Sequence, residues 1–95
     1  MIFNSDLFDS LLRQAQQSER KRASMDLRNT PSDNSQRLLN ALMPGTQVPI
    51  HRHTTTTETT VILQGSLEYL FYNDRGDITE RHTLTPSTTT CGIHI

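Results

Sequence analysis

Between residues 6 and about 21 the apolar positions recur at helical spacing. Leu7, Phe8, Leu11, Leu12 and Ala15 fall on one stripe, with Asp, Ser, Arg and Gln between them. Asn4 or Ser5 can cap the start. Asp6 and Asp9 sit near the positive end of the helix dipole, and Arg20, Lys21 and Arg22 near the negative end. The pattern predicts an amphipathic helix whose role is to pack on the outside of a sheet. Residues 22 to 36 are polar and end in Asn29-Thr30-Pro31-Ser32-Asp33-Asn34-Ser35, a loop signal. Leu38 to Met43 fits helix or strand by pattern alone and stops at the turn signal Pro44-Gly45.

From residue 46 the texture is β-like, rich in Thr, Val and Ile, with turn signals at short intervals. Val61-Ile62-Leu63 ends at Gln64-Gly65. Leu67 to Tyr72 reads as a strand, Asn73-Asp74-Arg75-Gly76 as a hairpin turn, and Ile78 to Leu84 as the return. Cys91 to Ile95 begins another strand. A helix followed by several short strands predicts a small barrel or sandwich.

The candidate chemistry lies in this second part. His51 and His53 are two residues apart, so on a strand both imidazoles face the same way. Glu58 follows five residues later, and the intervening Thr54 to Thr57 can form a turn that starts the antiparallel neighbour at Glu58. Two histidines and one carboxylate on one face make a facial triad for a divalent transition metal: imidazole suits Zn, Cu, Fe and Ni, and the carboxylate also admits Mn. Three protein ligands leave positions open for water or substrate. On this reading the three residues are ligands, and no residue is assigned a catalytic role. With alternation after Glu58, Thr60 and Ile62 share its face and line the pocket. Tyr69, His82 and His94 are further candidates for the pocket wall.

Two glycines frame these residues. Gly45, five residues, His51-x-His53, four residues, Glu58, six residues and Gly65 reproduce the spacing of the first cupin motif, each glycine permitting a turn. The stretch Gln36 to Thr46, followed by Pro49-Ile50-His51-Arg52-His53, resembles the WbuC-type cupins, small bacterial metalloproteins often encoded among surface-polysaccharide genes. Arg20 to Asn29 and Tyr72 to Gly76 extend the likeness over most of the chain. The resemblance implies an all-β cupin barrel of the double-stranded β-helix (jelly-roll) type over 37–95, an N-terminal helical extension and loop over 1–36, and a bound divalent metal. It points to a sugar or sugar-nucleotide intermediate of polysaccharide assembly as substrate, and to no established reaction. Cupins usually add a fourth ligand, a histidine, in a second motif. Gly92 is placed to open that motif, but the sequence stops at Ile95, before the motif and the closing strands. A non-catalytic module that binds a small ligand, or an inactive remnant, is the alternative reading.

Composition narrows the partners. The formal charge of −1 gives no pull toward nucleic acid or an anionic membrane. No apolar run reaches the roughly 18 residues of a membrane span. Cys91 is the sole cysteine, which fits a reducing compartment, and the N-terminus lacks the features of a signal peptide, so a cytoplasmic location is expected. The hydrophobic fraction is 33 % with no Trp, so the core must come from Leu, Ile and Val. A core this small, with open strand edges where closing strands would lie, predicts a homodimer.

Overall fold

Helix α1 runs over Ser5–Gln17 in the computed structural model, which describes residues 1–49, 56–87 and 89–95. Asn4 is its N-cap: the side-chain Oδ1 accepts from the Leu7 backbone N–H at 3.0 Å. Phe3, just before the cap, meets Phe8 one turn into the helix with ring centroids 6.5 Å apart. This is the apolar staple that fixes how a chain enters a helix.

The helix ends four residues earlier than its periodicity suggests. Ser18 is already extended, and the Ser18 N–H closes the last turn on the Ala15 carbonyl. Arg20, Lys21 and Arg22 therefore lie beyond the helix, and its last turn holds no basic residue. Lys21 takes a left-handed backbone with φ 56°, and its Nζ reaches back to the Gln16 carbonyl at 3.4 Å. The Lys21 carbonyl accepts from the Met43 N–H at 2.9 Å and from Thr46 Oγ1 at 3.0 Å. This residue reverses the chain and pins both ends of the hairpin that follows.

That hairpin consists of β1, Arg22–Asp26, and β2, Leu38–Leu42, paired antiparallel with Ala23 opposite Ala41 and Met25 opposite Leu39. Residues 22 to 26, read as loop from sequence, are thus a strand. The ambiguous segment after Arg37 is a strand as well. Ala23, Met25, Leu39 and Met43 pack against the buried cluster of Leu11, Ala15 and Ala41, together with Leu12. The residues linking the strands are polar but tied down. Arg37 donates to the Ser35 and Leu27 carbonyls at 2.7 and 3.2 Å and to Asp33 at 3.3 Å. Arg28 donates to both oxygens of Asp26 and, by that hydrogen bonding first of all, holds its carboxyl below the usual range.

The chain divides into two compact units, Met1–Ile50 and His51–Ile95. The second contains β3, Thr59–Val61, β4, Leu67–Tyr72, β5, Ile78–Leu84, and β6, Gly92–His94. β4 and β5 form the expected hairpin. At its turn Asn73 Oδ1 accepts from the Arg75 and Asp77 N–H groups at 2.9 and 3.0 Å. β3 pairs antiparallel with β6, Thr60 opposite Ile93. Gly92 is required here by packing: a Cβ on it would lie 2.8 Å from the Thr60 carbonyl oxygen. Leu84 is fully buried.

The expected cupin-type jelly-roll barrel is not formed. Among the described residues there are one helix and three two-stranded antiparallel sheets, β1–β2, β3–β6 and β4–β5. A barrel needs one continuous ladder of staggered strands closing on itself. Here each strand pairs with one partner, and β2, assigned from sequence to the barrel, belongs to the sheet that covers the helix. The fold is mixed, helix plus small sheets. Among the described residues no helix is long and apolar enough to cross a membrane.

With so few buried side chains, each matters. Leu11→Ala should cost about 2–5 kcal/mol by the usual penalty for emptying a core leucine site. Asn4→Ala should cost about 1 kcal/mol through the lost cap. Chemical denaturation followed by circular dichroism checks both values and their order.

Candidate metal site

Glu58 immediately precedes β3 and continues its ladder. Its N–H donates to the Ile95 carbonyl, and the Ile95 N–H donates back to the Glu58 carbonyl, each at 2.9 Å. This pairing fixes the backbone and therefore the side to which the carboxylate projects. Strand alternation puts Thr60 on that side, and the Thr60 hydroxyl donates to Glu58 Oε1 at 3.4 Å. Tyr69, from β4, donates its phenol to the same oxygen at 3.3 Å. All three residues are half-buried. Burial first, and the Glu58 carboxylate second, raise the Tyr69 phenol above its ordinary value of 10.0. Both oppose formation of a phenolate.

Tyr69 stands in an aromatic row. Its ring lies 5.5 Å from Phe71, two residues along the strand, and it is paired across the hairpin with His82. The Phe71 and His82 rings meet edge to face at 6.0 Å, and His82 Nε2 lies 3.8 Å from Glu80. One face of β4–β5 therefore carries a phenol, a phenyl ring, an imidazole and a carboxylate, while fully buried Leu84 pairs with Leu67.

The other candidates are placed as follows. Ile62 is half-buried just after β3, and its N–H donates to the Cys91 carbonyl at 2.9 Å. His94 pairs with Thr59, and its Nδ1 lies 2.6 Å from the Thr59 hydroxyl. Thr59 and His94 alternate with Thr60 and Ile93, so His94 is on the opposite face of β3–β6 from Glu58 and is exposed. The structure brings Glu58, Thr60 and Tyr69 together and does not bring His94 to them. Cys91 is an exposed free thiol. His51 and His53 lie outside the described residues. Among the described residues no three His, Cys, Asp or Glu side chains gather as a metal site.

By its chemistry the set His51, His53 and Glu58 fits a divalent transition metal, and Glu58 adds a feature common in metal centres: a carboxylate oriented by hydroxyl donors behind it. The glycines bracketing the set adopt the left-handed backbone their turns require, Gly45 at φ 82° and Gly65 at φ 77°. Sequence reasoning placed Thr60 beside Glu58 by alternation. It named Tyr69 for the pocket wall but not its bond to Glu58, which depends on the position of β4 beside β3. Phe71 and Glu80 were not singled out; the two-residue period of Leu67, Tyr69 and Phe71 was the available signal.

A family model described as a domain of unknown function (DUF6016) matches residues 3–84, and the chain belongs to that family. No curated protein and no solved structure matches it.

The environment of Tyr69 makes a titration prediction. In a Tyr72→Phe background the remaining phenol should ionise above 10.0, and Glu58→Gln should move it back toward that value. A raised folded-state value means that stability is level below the unfolded value of about 10 and falls as pH rises through the folded one. Ultraviolet absorbance of the phenolate against pH, with unfolding measured in parallel, checks both statements.

Proposed function

We propose that this member of the DUF6016 family is a small metal-binding protein that holds one divalent transition metal, Zn, Fe, Mn or Ni, through His51, His53 and Glu58. The observation that carries the reading is the Glu58 carboxylate, half-buried and held at Oε1 by Tyr69 and Thr60, within the Gly45–Gly65 spacing. The resemblance to WbuC-type metalloproteins supplies the substrate class, a sugar or sugar-nucleotide intermediate of surface-polysaccharide assembly; their barrel does not come with it.

When bound, such a metal supplies Lewis acidity toward a substrate oxygen. The chain's own residues have simpler tasks. Glu58 would neutralise one charge of the cation, and the two imidazoles would complete a set of three donors. Tyr69 and Thr60 keep the carboxylate turned, and Phe71 supports the Tyr69 ring.

Purified protein should contain about one transition-metal ion per chain by elemental analysis, and His51→Ala/His53→Ala protein almost none, because each lost ligand weakens a three-donor site severely. Equal metal content in the two would defeat the reading.

The same proposal includes a two-fold homodimer. Sheets of two strands leave backbone N–H and C=O groups along their outer edges, which pair readily with another chain. Light scattering over a concentration series should give about twice the 10.8 kDa chain mass. A folded monomer at high micromolar concentration would contradict it.

A further inference from the structure

We propose that Tyr69, assisted by Thr60, is a positioning residue that sets the orientation of the Glu58 carboxylate for metal binding. This rests on the reading of Glu58 as a ligand and adds the groups that make it an effective one.

A glutamate side chain has three rotatable bonds, and at the end of a short strand it loses rotamer freedom on ligating a cation. That cost falls if the side chain is already held before the ion arrives. Here two hydroxyls converge on one oxygen, Tyr69 at 3.3 Å and Thr60 at 3.4 Å. They come from different directions. Thr60 is two residues along the same strand, whereas Tyr69 reaches over from the separate β4–β5 hairpin. A donor on the same strand limits how far the side chain can swing along β3, and a donor from a second sheet limits how far it can swing away.

The Tyr69 end of this device is itself braced. Its ring packs at 5.5 Å against Phe71, which meets His82 edge to face, and His82 is the cross-strand partner of Tyr69. A half-buried phenol could equally have turned to water. It donates instead to the one carboxylate in the motif. Hydrogen-bond donors behind a ligating carboxylate fix its orientation, and their removal usually costs 10- to 100-fold in metal affinity, by general experience of such outer groups.

The experiment is a cobalt(II) titration of the full chain against a competing chelator, with the visible absorption bands recorded. It compares wild type, Tyr69→Phe, Thr60→Val, Glu58→Gln and Tyr72→Phe. Tyr69→Phe should weaken cobalt binding by about 10- to 100-fold and shift the bands, since the ligand field reports carboxylate orientation and a merely structural defect would leave it in place. Thr60→Val, which keeps the β-branched shape, should act in the same direction. Tyr72→Phe, the loss of the other phenol on β4, should match wild type. Tyr69→Phe with wild-type affinity and bands would overturn the positioning role while leaving the metal reading intact. Loss of affinity in Tyr69→Phe alongside normal binding by Glu58→Gln would also overturn it, because the effect would not pass through Glu58. Absence of cobalt uptake by the wild type would remove the metal reading, and this role with it.

Discussion

The apolar stripe of α1 has to be covered, and the way it is covered organises the first unit. Leu11 and Ala15, one turn apart, are 3 % and 0 % exposed. The covering surface is the β1–β2 hairpin, which contributes Ala23, Met25, Leu39 and Ala41, with Met43 following β2. Ala15 and Ala41 are small, and the surrounding Met and Leu side chains pack against them. The polar linker between the strands is held by Arg28 and Arg37 rather than by apolar contacts. Lys21 closes the arrangement by anchoring Met43 and Thr46 at the far side. Among the described residues β2 is paired with β1 alone.

This explains what the sequence could and could not disclose. The helix was legible because five apolar positions repeat at one period, and its start because Asn4 is a strong cap. Its end was not: Gln16 to Lys21 are all compatible with a helix, yet the backbone is already extended at Ser18, and the left-handed Lys21 with its tertiary contacts then turns the chain into β1. β1 was missed because a five-residue strand with only Ala23 and Met25 facing the core is nearly polar. Its identity as a strand comes from its partner, and the same partner settles Leu38–Leu42. The β4–β5 hairpin was legible from alternation and from the Asn73-to-Gly76 turn.

The barrel was inferred from motif spacing, and spacing determines less than it suggests. Glycines six residues before His51 and seven after Glu58 require turns, and turns are found at both. Turns do not specify which strands pair. Among the described residues pairing joins the successive strands β1–β2 and β4–β5, and brings the distant β3 and β6, three residues each, together in a third two-stranded sheet. The candidate site was legible in its donor types and in the alternation that joins Thr60 to Glu58. The contribution of Tyr69 was not, because it depends on one sheet lying beside another within the second unit.

What remains common to sequence and structure is a carboxylate held in place a few residues after a pair of histidines. If His51, His53 and Glu58 form one centre, X-ray absorption of the zinc-loaded protein measures it most directly. The expected result is a first shell of nitrogen and oxygen at about 2.0–2.1 Å, with the outer scattering of two imidazoles and no sulfur. A sulfur shell near 2.3 Å, the distance of a thiolate such as Cys91 would supply, or a shell without imidazole scattering, would contradict it.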